Sequence, residues 1–170
     1  MPGYTQPSDL ATLVPKELAA ELRRVVETGF EGLCRLPEPL TSQPLNSGKW
    51  SPKQVIGHLI DSAANNHQRF VRLQIEPELR MQGYMQEEWV AVQCYAVMPW
   101  VQVLETWRVF NTHLAYVVQH VKLESLGNVW HYVPSVPPID GEGPLTLGFL
   151  IEDYIAHMRH HLRQLPNYSE

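Results

Sequence analysis

Apolar residues recur at helical spacing in four long stretches of the chain, and the breaks between them are rich in proline and glycine. The first stretch opens at Pro15, which suits a first helical turn, and carries Val25, Val26, Phe30 and Leu33 as its apolar stripe to about Leu36. Pro37, Pro39 and Pro44 then impose a loop. Ser51-Pro52-Lys53-Gln54 has the form of a capping box with proline at the first helical position, and predicts a second helix running to Glu76, before Pro77. Its apolar face is Val55, Leu59, Ala63, Phe70 and Leu73. Residues 77–99 read as irregular, with a short helix over Glu87–Tyr95. A third long helix is predicted from Trp100 to about Val121, with Val103, Leu104, Trp107, Leu114, Val117 and Val118 inward. Residues 122–145 form a second long loop, in which Asn128–Val133 reads as a short extended segment. Thr146 is an N-cap for a fourth helix, Leu147–Gln164, closed by Pro166. The expectation is an all-α four-helix bundle with long crossover loops, one domain over residues 1–170, preceded by a loose arm at 1–14. Connections this long are uncommon unless they serve a site. Their aromatics, Tyr84, Trp89, Trp130 and Tyr132, suggest packed loops that roof something.

Composition narrows the function classes. With 44% apolar residues in 170, the chain can build one real core. A net charge of −5 leaves no electrostatic footprint for nucleic acid. No apolar run approaches the roughly 20 residues of a bilayer-spanning helix, and the N-terminus lacks the pattern of a signal peptide. A soluble cytoplasmic protein is expected. Cys34 and Cys94 form no CxxC pair, so two buried free thiols are expected rather than a disulfide framework or a cysteine zinc site. A surplus of large apolar residues on the third helix, Trp100, Phe110 and Tyr116, points to a homodimer; light scattering at micromolar concentration should show twice the chain mass.

Candidate chemistry lies in the histidines. At about 100° per residue, His157 and His161 share one edge of the last helix's apolar stripe, while His160 falls nearly opposite, toward solvent. Two histidines at i and i+4 can close on one metal ion. His58 holds the same edge position on the second helix, where Ser62, Asn65 and Arg69 continue a polar stripe beside the buried face. Such a stripe makes sense if it faces a wet cavity. The sequence does not set the two helix edges against each other. If they meet, three imidazoles converge and leave open coordination positions, the mark of a catalytic rather than a structural zinc site. The chain has no Glu-x-x-His at these histidines, no HExxH, no glycine-rich phosphate loop and no GxSxG.

The run Trp50-Ser51-Pro52-Lys53-Gln54-Val55-Ile56-Gly57-His58-Leu59-Ile60-Asp61-Ser62, with Asn65 and Arg69-Phe70 after it, resembles the opening motif of the DinB/YfiT-like superfamily. Tyr154-Ile155-Ala156-His157-Met158-Arg159-His160-His161 resembles that family's closing Tyr-x-x-His-x-x-His-His pattern, and Gly83-Tyr84 with Trp89 resembles a middle segment of its YfiT-like branch. The resemblance spans about residues 45–165. It implies a four-helix bundle, often dimeric, and one divalent metal ion, zinc or nickel, on His58, His157 and His161. It also implies a metal-dependent hydrolase, or a transferase acting with a low-molecular-weight thiol on an electrophilic small-molecule substrate. Asp61, Asn65, Arg69, Tyr84 and Asp153 are then candidates for substrate contacts or for orienting the ligands; Arg69 has the chemistry to hold a carboxylate of a thiol cofactor. The alternative is a non-catalytic metal-binding or ligand-sensing bundle that keeps the histidines without turnover.

Overall fold

The computed structural model describes residues 8–133 and 144–168. Residues 1–7 of the expected arm and 134–143 of the second long loop lie outside that range. Four long helices make the body: α1 (Pro15–Leu33), α3 (Pro52–Arg72), α5 (Trp100–Gln119) and α6 (Leu147–Leu162). Two short helices, α2 (Glu38–Thr41) and α4 (Gln86–Val92), sit in the connections. α5 packs against both α1 and α3, and α6 packs against the same two helices. The all-α bundle with long crossovers read from the sequence is the fold observed.

The helix starts follow their local chemistry. Ser51 and Gln54 form the reciprocal capping box, with Gln54 Oε1 accepting from the Ser51 backbone N–H at 3.0 Å. Thr146 Oγ1 accepts from the Phe149 N–H at 3.2 Å and starts α6. The ends run short of expectation. α3 stops at Arg72, leaving Ile75 exposed, and α4 stops at Val92, before Cys94 takes a left-handed φ of 55°.

Three expectations are corrected. Residues 77–99 are not wholly irregular: β1 (Glu78–Gln82) pairs in parallel with β2 (Val129–Val133), which pairs antiparallel with β3 (Leu145–Thr146). The register sets Leu79 beside Trp130 and Met81 beside Tyr132, so one face of the sheet is apolar and aromatic and closes over the bundle. The arm is not loose beyond residue 8: Asp9 caps a 3-10 turn at Leu10–Thr12, and Leu10 and Leu13 lie on Gly148, where an added Cβ would stand 2.7 Å from each. Two apolar side chains that close to a helix backbone anchor the segment. Cys34 and Cys94 are exposed, not buried, because one follows the last core position of α1 and the other occupies the turn after α4.

Gly57 marks the tightest approach to α3. A Cβ there would meet Tyr95 ring carbons at 2.2 and 2.3 Å, and Tyr95 is pinned by its hydroxyl donating to Asp61 Oδ1 at 2.8 Å. In an exposed helix Gly→Ala stabilises by up to about 1 kcal/mol. Here overpacking reverses the sign, and Gly57→Ala should cost about 1–3 kcal/mol, read as a fall in Tm of about 2–12 °C.

Candidate metal centre

α3 carries His58 and α6 carries His157 and His161, one turn apart. The packing of α6 on α3 brings all three together: one ligand-capable nitrogen from each lies within 4.8 Å of the others. The ring centroids are 4.6 to 5.2 Å apart and the planes are steeply inclined to one another. His58 Nε2 and His157 Nε2 stand 3.2 Å apart. Two nitrogens bound at about 2.0–2.1 Å to a tetrahedral ion would be separated by about 3.3 Å, so the pair already has the spacing of metal ligands. His160, as its helical phase predicts, is exposed.

His58 and His157 each have polar or aromatic neighbours outside the cluster. The Ser62 hydroxyl lies 3.5 Å from His157 Nδ1, and the Tyr84 hydroxyl 3.5 Å from His58 Nδ1, both long for hydrogen bonds. Trp50 packs on His58 with centroids 5.2 Å apart. His161 Nδ1 is buried with no hydrogen-bond partner among the described residues. Burial, reinforced by the neighbouring imidazoles, disfavours the charged form of all three. It pushes His58 down to about 3, His161 down to about 4, and His157 well below its ordinary range. At neutral pH the cluster is three neutral imidazoles with lone pairs available. That donor set fits a borderline-soft divalent ion.

The other candidates divide. Tyr84 roofs His58, its ring nearly parallel at 27° and backed by Trp89. Asp61 turns to the connection after α4: its Oδ1 accepts from Gln93 at 2.6 Å and from Tyr95, and burial raises its pKa. It braces that segment rather than meeting a histidine. Asn65 donates to the Asp61 carbonyl at 2.9 Å, back along its own helix. Asp153 lies one turn before His157, half-buried. Arg69 is almost fully buried further along α3. Ser62, from the polar stripe beside His58, and Trp50 join the site at the histidine rings. Trp50's position just before the capping box was the available signal, since a helix start fixes what precedes it against the first turns.

A cleft of about 550 Å3 opens beside His161. Of the two long loops read above as roofing a site, the 77–99 loop reaches this cleft, through Gln86 and Glu87, and no described residue of 122–145 lines it. The remaining wall comes from the connection before α3, notably Leu45, Lys49 and Trp50. The described part of 122–145 instead carries a 3-10 turn (Leu123–Ser125) and β2, whose Trp130 packs on Arg69 of α3.

A bundle that focuses three histidines from two helices defines a class of protein built around a site able to coordinate a metal. The chain belongs to the DinB superfamily, whose family model matches residues 20–165. It is 26% identical over 164 residues to a protein of Bacillus mycoides (strain KBAB4) whose name provisionally makes it a metal-dependent hydrolase; the match covers 91% of this chain and 81% of the relative. Its fold is similar to that of YfiT from Bacillus subtilis, described as a probable metal-dependent hydrolase with an unusual four-helix bundle topology. That similarity has a TM-score of 0.80 at 16% identity, over 94% of this chain and 89% of that one. Among the described residues no helix is long and apolar enough to cross a membrane.

Proposed function

We propose that the protein is a metal-dependent enzyme that directs a water or a low-molecular-weight thiol at an electrophilic small molecule. The convergence of three neutral imidazoles, two buried and one half-buried, carries this reading, because among the described residues the cluster contains histidines alone. His58, His157 and His161 would hold one divalent ion, zinc or nickel, with positions left for a ligand. Such an ion supplies Lewis acidity, lowering the pKa of a coordinated water or thiol toward neutrality.

The chain's own groups do the rest. Ser62 and Tyr84 stand at the Nδ1 atoms of His157 and His58, where they can set each ring's tautomer and rotation. Tyr84 and Trp50 shield His58 from bulk water, and the cleft beside His161 admits the substrate. The test is turnover of the zinc- and nickel-loaded protein with a panel of thiols against alkylating electrophiles, beside a panel of activated esters for hydrolysis. Metal-dependent turnover with either panel supports the reading. Stoichiometric metal with no turnover on either would favour a non-catalytic metal-binding bundle. Chelation should leave the helical circular dichroism signal in place and lower Tm only modestly, since the core closes without the ion. Collapse on chelation would make the site structural.

A further inference from the structure

Arg69 is 2% exposed, yet among the described residues only one of its nitrogens is engaged: Nη1 donates to Asn66 Oδ1 at 3.1 Å. Its Nε and Nη2 are buried without a hydrogen-bond partner among the described residues. Lys53, buried to a similar degree, has Glu38 at 2.8 Å. Burial pulls the Arg69 guanidinium down to about 10, so it stays charged at neutral pH. Among the described residues no carboxylate pairs with it; a buried cation without a counter-charge is costly, and its retention asks for an occupant.

The unengaged atoms are not a random pair. Nε–H and Nη2–H form the side edge of the guanidinium, whose two parallel donors match the two oxygens of a carboxylate. Trp130 lies under the plane, 4.3 Å from the guanidinium carbon to the ring centroid, and makes no hydrogen bond to that edge, whose two donors are shut off from solvent. Tyr132 stands two residues on along the same face of β2, edge-on to Trp130, and its hydroxyl is also buried without a partner among the described residues. Its ring touches the Gly83 position, next to Tyr84 over His58. Tyr84 at His58 and Trp130 at Arg69 are therefore linked through Tyr132, along the span of α3 that carries Ser62 and Asn66 between them. The Cα atoms of His58 and Arg69 are about 16 Å apart along the helix, and the long Arg69 side chain leans back toward the histidines.

We propose that Arg69 is the substrate-anchoring residue of this site, receiving on its Nε–Nη2 edge the carboxylate of a small molecule whose reactive end extends toward the three histidines. A carboxylate fits better than a phosphate dianion, because one guanidinium balances one charge in a site with no other described cation on this edge. The role of the histidines rests on the metal-dependent reading above; the anchoring does not.

The test is calorimetric titration of the metal-stripped protein with hexanoate, hexanamide and inorganic phosphate. Hexanoate should bind at least about tenfold tighter than hexanamide, the effect of one charge-assisted bidentate pair. Arg69→Met and Arg69→Lys should each lose about that factor while remaining folded by circular dichroism. Lysine keeps the charge but not the fork. If Arg69→Met fails to fold, Arg69→Lys and the hexanoate–hexanamide comparison still decide. Equal binding of acid and amide, no hexanoate binding at all, unchanged affinity in Arg69→Lys, or tighter binding of phosphate would each overturn the assignment. In the zinc-loaded protein, ω-mercaptoalkanoates should bind more tightly than their thiol-free counterparts. If hexanoate binds through Arg69 but the thiol adds nothing, the thiol branch of the metal reading fails and the carboxylate anchor stands.

Discussion

His58→Ala is expected to lose more than about 100-fold in zinc or nickel affinity while the protein stays folded. Removing a group that only orients a metal-bound histidine already costs 10- to 100-fold, so deleting one of three ligands must cost more. His58 supplies the single imidazole from α3; without it the i, i+4 pair on α6 remains, a two-ligand site of ordinary weakness. His160→Ala is the matched control. It removes a histidine from the same helix as that pair, but one that faces solvent, and metal content should match the parent. Competition titration against a coloured chelator reads both. Parent-like affinity in His58→Ala, or metal loss in His160→Ala, would show that the ion sits elsewhere.

Acidification of the metal-stripped protein is expected to destabilise it from about pH 6.5 downward, before most carboxylates titrate. The sign follows from the depressed histidines. In the unfolded chain each titrates near its ordinary 6.5, whereas in the fold His58 sits at about 3, His161 at about 4 and His157 well below its normal range. Between those limits the unfolded state binds protons that the folded state refuses. Stability present above pH 6.5 is therefore lost as the pH falls toward the folded values. Each such histidine contributes up to about 1.4 kcal/mol per pH unit. His58 and His157 together set a ceiling of about 4 kcal/mol by about pH 5, and the less buried His161 adds less. Against a domain stability of about 5–15 kcal/mol, that is a large fraction. Denaturant midpoints between pH 7 and pH 5 measure it, and His157→Ala should flatten the profile by about one proton. A flat profile in the parent would mean that the imidazoles are not held neutral by the fold.

The helices were legible because their starts and faces are local. Ser51 with Gln54, Thr146 and the prolines act within one turn, and the phases that put His157 with His161 and turned His160 outward need only helical geometry. β1 was not legible. Glu-Leu-Arg-Met-Gln has no run of β-branched residues, and it is a strand because β2, about 50 residues away, pairs with it in parallel. Asp61 illustrates the same limit from the other side. Its place in the His-Leu-x-Asp-Ser run made it a site candidate, but the turn after α4 brings Gln93 and Tyr95 onto it and makes it a brace.

By itself, the sequence determined that helices form, which face each buries, and that three histidines border buried faces. That information is carried by contacts within four residues, where propensity, capping and periodicity act without knowledge of the rest of the chain. Only the tertiary structure decided that α6 packs on α3, which sets His58 and His157 3.2 Å apart across 99 residues of chain. It also placed Tyr84 over His58, and left the Arg69 fork buried above Trp130. These meetings depend on which apolar faces bury each other and on the path of the crossovers. Burial energy is non-directional, so the faces that select it do not encode their partners in any local pattern.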